Sequence, residues 1–193
     1  MKKLGFLMLL LTLAIMLGGT ALANPPVGGG AGDPSDYFTT YFSNANTANA
    51  PDATVRIIND GSTGADLYAA IFVFDDSEEL TECCYCEITP DGLLSESVNN
   101  NLTANSITGI KPTRGVIKVV SAVAADGINV TTVGLRAWAT HVQKLASGFA
   151  VTEAPFADSN LAPSEQTLLD QLCYYDRQLS GKPCTCTPED QDF

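Results

Sequence analysis

The sequence predicts an all-β fold, an antiparallel sandwich or partial barrel of immunoglobulin-like architecture, followed by one C-terminal amphipathic α-helix. Two observations favour it. Six or seven short apolar segments of strand length are separated by turn-forming residues, with no helical pattern between them. Beyond residue 160 the apolar residues instead recur at helical spacing.

The first residues are typical of an export signal. Lys2 and Lys3 precede an uncharged apolar run, Leu4–Leu17, and Ala21–Ala23 carries the small residues that a signal peptidase recognises. We therefore expect residues 1–23 to be a signal peptide cleaved near Ala23. The mature protein is then extracytoplasmic, whether secreted, periplasmic or at the cell surface. Since the apolar run is shorter than the roughly 20 residues that span a bilayer, no membrane insertion is expected after cleavage.

The composition is acidic. The chain of 193 residues has 22 acidic and 10 basic side chains. Loss of residues 1–23 would remove two of the basic residues and no acid, which gives a mature net charge of 8 minus 22, or −14. Such a surface repels nucleic acid and anionic lipid, so neither is expected as a partner.

Residues 24–53 differ in composition from the remainder. They begin with prolines and glycines and continue with Asn, Ala, Thr and Asp. Because this segment has little apolar content to bury, we expect a flexible N-terminal arm. The exception is Tyr37–Phe42, whose paired aromatic residues could pack on the same domain or on a neighbouring molecule. Packing on the same domain is favoured.

Residues 54–160 are predicted to form the sandwich. Thr54–Asn59 and Leu67–Phe74 are the first two strands, and the turn signal after Asn59 suggests that they form a hairpin. The second of them is apolar on both faces, as expected of a strand that is covered on two sides. Further strands are predicted around Cys83–Thr89, Leu94–Val98, Gly115–Val123, Ile128–Val142 and Phe149–Thr152.

Residues 161–193 are predicted to be a helix and a cysteine-containing tail packed on the same domain. Pro163 and Ser164 suit the first turn of this helix. The expected apolar face consists of Leu161, Leu168, Leu172, Tyr175 and Leu179, with Leu169 and Cys173 beside them. We expect this face to lie on the sheet or across one end of the sandwich.

The six cysteines are the most specific feature of the sequence. They form two clusters, Cys83, Cys84 and Cys86 in the strand region and Cys173, Cys184 and Cys186 near the C-terminus. An even number of cysteines in an exported chain predicts disulfide bonds. Relaxed bond geometry disfavours bonds between adjacent cysteines and within Cys-x-Cys pairs, so at least one bridge should join the clusters. Most pairings then link all three early cysteines to the three late ones, and the others use a local Cys83–Cys86 bond.

The same clusters permit a second interpretation. Clustered thiolates bind Zn(II) or Cu(I), and Cys83 with Cys86 has the spacing of a redox dithiol. However, thiolates pair with one another in an oxidising compartment, and the sole histidine, His141, has no cysteine or carboxylate at ligand spacing. We therefore assign no metal or cofactor. An extracytoplasmic metal-handling or thiol-redox protein is the alternative to the function favoured below.

No catalytic residue is predicted. A Ser-His-Asp triad would need His141, and the sequence has no Gly-x-Ser-x-Gly motif to present a nucleophile. The acids of Asp75–Glu79 lack the spacing of a calcium loop. We expect a non-enzymatic, disulfide-stabilised structural or binding module at the cell surface or outside the cell. Self-association, or a protein partner, could involve an edge strand or the N-terminal arm.

Several motifs resemble a group of small exported proteins of environmental bacteria. These motifs are Glu82–Leu93, Ser97–Asn99, Ala154–Leu161 and Cys184–Cys186. The resemblance covers most of the mature chain. It implies export and a shared cysteine framework, and it implies no catalytic residue.

Overall fold

A computed structural model of the protein describes residues 35–105, 107–180 and 186. The predicted signal peptide, the start of the predicted arm and most of the C-terminal tail lie outside these residues. The strands are β1 (Tyr37–Ser43), β2 (Thr54–Asn59), β3 (Leu67–Asp75), β4 (Leu80–Ile88), β5 (Leu93–Ser97), β6 (Arg114–Ala122), β7 (Leu135–Leu145), β8 (Gly148–Pro155) and β9 (Ala157–Ser159). A short π-helix, Val98–Leu102, follows β5, and helix α1 spans Pro163–Ser180.

The strands form two antiparallel sheets. The first sheet has the order β4-β3-β6-β1-β9, and the second has the order β5-β2-β7-β8. Together with α1, this arrangement is the mostly antiparallel β fold with one C-terminal helix that the sequence predicts. Within the described residues, no helix has the length and apolar character needed to cross a membrane.

The two sheets share one hydrophobic core. Phe42 of β1 and Ile71 of β3 are buried in the same cluster as Ile57 of β2 and Ala137 of β7. Alternation along the strands produces this core, since β2 buries every second side chain. Burial of apolar side chains between the sheets is therefore the main contribution that holds them together.

A second apolar cluster covers the opposite face of the first sheet. Phe72 of β3 and Val120 of β6 pack there with Leu169 and Cys173 of α1. Strand β3 is therefore buried on both faces, by the second sheet on one side and by the helix on the other. This confirms the expectation from its continuous apolar run.

The predicted hairpin of β2 and β3 is wrong, because the two strands belong to different sheets. Strand β2 pairs with β5 and β7, whereas β3 pairs with β4 and β6. The connection between them is a crossover organised by Asn59, whose Nδ2 donates to the carbonyls of Ala65 at 2.9 Å and Ile88 at 3.0 Å. Gly61 allows the turn there with a φ of +71°. The turn signal is therefore real, but the chain leaves it toward the other sheet.

The prediction of a flexible arm does not hold for residues 35–53. Strand β1 lies between β6 and β9, and its Phe38 and Phe42 are buried in its own domain. The polar residues that follow β1 are ordered by side-chain hydrogen bonds. Asn44 Nδ2 donates to the Val142 carbonyl at 2.7 Å, and Asn46 Nδ2 donates to the Pro112 carbonyl at 2.9 Å. Low apolar content therefore gave a wrong prediction of flexibility, because hydrogen bonds from amide side chains order the segment after β1.

Strand β7 is shorter than predicted. It begins at Leu135, whereas residues 128–134 form an irregular connection in which Gly134 has a φ of +118°. Ile128 does not pack between the sheets and is instead buried in the cluster beneath α1. The Gln166 side chain donates to the Ile128 carbonyl, so the helix holds this connection in place.

The buried face of α1 agrees only in part with the predicted one, since Leu161 and Leu172 pack against the cluster beneath the helix as expected. Leu169, Cys173 and Asp176 are its buried residues, whereas Leu168, Tyr175 and Leu179 are 46%, 61% and 73% exposed. Cys173, on this buried face, is bonded to Cys83 of β4. The side that faces inward is therefore the one that carries Leu169 and the bonded Cys173.

Candidate functional site

Two disulfides fasten the C-terminal region to β4. Cys83 is bonded to Cys173 with a Cα–Cα distance of 5.6 Å, and Cys86 is bonded to Cys186 with a Cα–Cα distance of 5.5 Å. Both distances are usual for disulfides. Cys84 is disulfide-bonded as well, and Cys184 lies outside the described residues. The two bridges link the early cluster to the late one, as most of the pairings open to the sequence do, and neither is the local Cys83–Cys86 bond.

The alternation of β4 places its cysteines on both sides of the first sheet. Cys83 belongs to the cluster beneath α1, whereas Cys84 and Cys86 belong to the core between the sheets. Among the described residues, no cysteine is free and no three His, Cys, Asp or Glu side chains are grouped to hold a metal. Because a disulfide sulfur is not a thiolate, metal binding or thiol exchange there would first require reduction of a bridge.

His141 is buried on β7 against an aromatic ring. Its ring stacks on Tyr41 with the centroids 4.3 Å apart and an interplanar angle of 27°. Burial lowers the pKa of His141, and a hydrogen bond with the Tyr41 backbone only partly opposes this shift. A neutral ring packed in this way is a structural element of the contact between β1 and β7.

The acidic segment Asp75–Glu79 forms the turn between β3 and β4. Asp75 Oδ1 accepts from the backbone nitrogens of Ser77 at 2.8 Å and Glu79 at 3.0 Å. The Asp76 carboxylate pairs with Arg114 at 2.6 Å. These acids hold the turn and its neighbouring strand.

The candidate site is a cleft between α1, β4 and the 126–129 connection. Its volume is about 830 Å³. The aromatic residues that line the cleft are Tyr85, Tyr174 and Tyr175, and the charged ones are Asp126, Asp170 and Arg177. The amides of Asn129, Gln171 and Gln178 complete the lining together with Cys173.

Tyr85 is a rigid part of this cleft. Its ring meets Phe72 edge to face with the centroids 6.5 Å apart, and the Arg177 guanidinium lies 5.6 Å from its centroid on a ring face. Burial, followed by the negative charge of Asp170, raises the pKa of Tyr85 to about 12. The phenol is therefore neutral at physiological pH and can both donate and accept a hydrogen bond.

Exposed residues of α1 form another side of the cleft. Tyr174 is 62% exposed, and its ring meets that of Tyr175 at 73° with the centroids 5.6 Å apart. Asp170 Oδ1 accepts from the Ile128 backbone nitrogen at 3.2 Å, which joins the helix to the 126–129 connection. Cys173, which lines the cleft, is bonded to Cys83 of β4, so the helix side of the cleft is covalently joined to the sheet.

Sequence reasoning did not identify the cleft. The apolar face predicted for the helix includes Cys173 and Tyr175 but none of Asp170, Gln171, Tyr174 and Arg177, and no sequence motif above singles out Asn129. The one sequence signal that could have indicated a binding surface is Tyr174, a large aromatic residue on the polar face of the helix. The contributions of Tyr85 and Asp126 come from distant parts of the chain and have no local signal.

A second unusual feature is a pair of buried acids near the same disulfide. Glu82 and Asp176 are 1% and 3% exposed, and Glu82 Oε2 and Asp176 Oδ1 have no hydrogen-bond partner. Burial, followed by repulsion from Asp176, raises the pKa of Glu82 to about 7, while a hydrogen bond with the Asn105 backbone opposes the shift. Burial raises the pKa of Asp176 to about 6.

Comparison with known proteins identifies no family. The chain matches no protein-family model and no curated protein. A crystal structure of Thermotoga maritima 1070 is similar over 66% of this chain and 95% of that chain, with 13% sequence identity and a TM-score of 0.42.

Proposed function

We propose that this chain is a secreted, disulfide-stabilised binding module at the cell surface or in the extracellular space, that it is not an enzyme, and that it binds through the α1 cleft. One observation carries the proposal. The cleft combines exposed aromatic rings with hydrogen-bonding side chains on a support that is covalently joined to the sheet. Preorganised groups of this kind suit binding because little freedom is lost when a ligand enters.

The two bridges also support the location, because disulfides persist in oxidising compartments. Removal of a signal peptide near Ala23 remains part of the proposal. An immunoglobulin-like arrangement of the two sheets is also part of the proposal, since it would present binding groups on a stable β framework.

Sedimentation with cell envelopes tests the proposal. Labelled mature protein, residues 24–193 with its bridges intact, is mixed with envelopes and extracellular material of the organism that encodes it. We expect saturable binding that Tyr174→Ala and Asp170→Ala weaken and that Val151→Ala, on the exposed strand β8, leaves unchanged. Absence of saturable binding, or equal binding by all variants, would contradict the proposed function.

Self-association through an edge strand is a second candidate. Strand β8 is an edge of the second sheet, and its Val151 is half exposed. However, Glu153 on the same strand pairs with Arg56 at 2.7 Å, and Pro155 ends the strand. Charge and proline both discourage edge pairing, so we favour the cleft. Light scattering tests this choice, since growth in particle size with concentration that Val151→Lys abolishes would favour self-association.

The metal-handling or thiol-redox alternative is tested by intact mass. Mature protein that was never exposed to reductant is treated with a thiol-blocking reagent. The proposed module should be unmodified, metal-free and lighter by six hydrogens than the reduced chain with its six cysteines. Reagent adducts together with stoichiometric zinc or copper would favour the alternative.

A further inference from the structure

We infer that the ligand of the cleft is a neutral carbohydrate, an inference that rests on the proposed function. The first argument is shape. The volume of about 830 Å³ is near the upper end of the roughly 300–1,000 Å³ of small-molecule sites. Tyr174 and Tyr175 stand at its exposed side. The cleft therefore has room for several sugar units beside these two rings.

The aromatic residues supply the apolar part of such recognition. A sugar ring has faces of C–H groups and edges of hydroxyl groups, so it binds best where aromatic faces and hydrogen-bonding groups occur together. Tyr174 and Tyr175 offer two ring faces held at 73° to each other. Tyrosine has only two side-chain torsions, so little entropy is lost when its ring packs on a ligand.

The polar residues supply both directions of hydrogen bonding. The amides of Asn129, Gln171 and Gln178 each donate and accept, whereas the carboxylates of Asp126 and Asp170 only accept. Hydroxyl groups of a sugar also donate and accept, so this mixture matches them. The Asp170 carboxylate is held in position by its hydrogen bond with the Ile128 nitrogen.

The charges of the cleft argue against ionic ligands. An anionic polysaccharide would meet Asp126 and Asp170 on a chain whose net charge is −12. A cationic ligand would be attracted by those carboxylates, but the Arg177 guanidinium lines the same cleft and repels it. A neutral ligand avoids both conflicts, and its hydroxyl groups can use the same carboxylates as acceptors.

Isothermal titration with a defined panel tests the inference. The probes are cellohexaose, chitohexaose, xylohexaose and maltohexaose as neutral saccharides, oligogalacturonate as an anion and spermidine as a cation. We expect at least one neutral saccharide to bind, with a dissociation constant on the order of 0.1 mM or below. Tyr174→Ala and Gln171→Ala should each weaken that binding by about tenfold.

Tyr41→Ala is the matched control, because Tyr41 is a half-exposed tyrosine on β1 outside the cleft. It should bind the saccharide as the wild type does. Near-ultraviolet circular dichroism and non-reducing mass establish that each variant is folded and bridged. Gln171→Ala, a change on the surface of α1, keeps the test valid if Tyr174→Ala does not fold.

Three results would overturn the carbohydrate inference. They are the absence of binding to all four neutral saccharides, equal binding by the wild type and the cleft variants, and tighter binding of spermidine or oligogalacturonate. The proposed function does not depend on this outcome. If envelope binding still depends on Tyr174 and Asp170 but no saccharide of the panel binds or competes, the module stands and its ligand belongs to another class.

Discussion

Asp176 on α1 lies with its carboxylate Oδ2 3.7 Å from the Sγ of Cys83, directly against the disulfide that joins the helix to β4. A disulfide sulfur has no hydrogen to donate, so this contact gives the acid no hydrogen bond. Glu82, the residue before Cys83, is equally buried, and repulsion from Asp176 contributes to its raised pKa. Two buried acids with raised pKa values therefore lie beside the bond that attaches the helix.

We predict that the protein becomes less stable as the pH rises from about 4 to about 8. The pKa of Glu82 is about 7 in the folded protein against an ordinary value of 4.5, so the folded state binds the proton more tightly. This stabilisation is complete below pH 4.5 and is lost as the pH passes through about 7. The pKa of Asp176 is raised from 3.8 to about 6, so its stabilisation of the folded state is lost as the pH passes through about 6. Because one pKa unit corresponds to about 1.4 kcal/mol, the two shifts together should change the free energy of unfolding by on the order of 5 kcal/mol.

Urea unfolding at a series of pH values, under non-reducing conditions, measures this dependence. Glu82→Gln should flatten the curve and should make the protein more stable than the wild type at pH 8. Glu87→Gln is the matched control, since Glu87 is exposed on the same strand. Parallel curves for the wild type and Glu82→Gln would show that Glu82 does not titrate as described.

The two described disulfides should have different effects on the cleft. Replacing both members of either pair with serine opens a loop of 90 or 100 residues, which should cost about 4 kcal/mol of unfolding free energy. Loss of Cys83–Cys173 should also release α1 from β4, whereas loss of Cys86–Cys186 should leave α1 in place. Near-ultraviolet circular dichroism of Tyr85 and binding at the cleft distinguish the two variants. Equal loss of binding in both would contradict a specific role for Cys173.

Strand β1 should be essential for stability. Phe42 is buried in the core between the sheets, so Phe42→Ala should destabilise the protein by about 3–5 kcal/mol through lost burial and a residual cavity. The adjacent Tyr41 is 51% exposed and contributes only its stacking on His141, so Tyr41→Ala should cost about 1 kcal/mol. Thermal unfolding compares them. A small effect of Phe42→Ala would indicate that the segment is a dispensable arm after all.

Asn59 should be the key residue of the crossover between the sheets. Its side chain satisfies the carbonyls of Ala65 and Ile88 from a buried position. Asn59→Ala would leave both carbonyls without that donor and should cost about 2 kcal/mol. Thr63→Ala, an exposed change in the same connection, should cost less than about 0.5 kcal/mol. Chemical denaturation measures the difference in the free energy of unfolding. Similar losses of stability in both variants would show that Asn59 is not the key residue of the crossover.

Local patterns in the sequence predict most of the elements. Short apolar segments bounded by turn residues identify β2 and β5, a continuous apolar run identifies the doubly covered β3, and helical spacing from Leu161 identifies α1. These predictions succeed because burial acts on each segment through its own periodicity. The tendency of the cysteine clusters to pair is also visible, since it follows from their number and spacing and from the expected compartment.

The tertiary structure alone decides the relationships between distant segments. It separates β2 and β3 into different sheets, adds β1 to the first sheet, and rotates α1 so that Leu169, rather than Leu179, faces inward. The cleft likewise exists only where Tyr85, Asp126 and Tyr174 meet. Each of these outcomes depends on contacts or bonds between residues far apart in the chain, whose free energy is not encoded in any single segment.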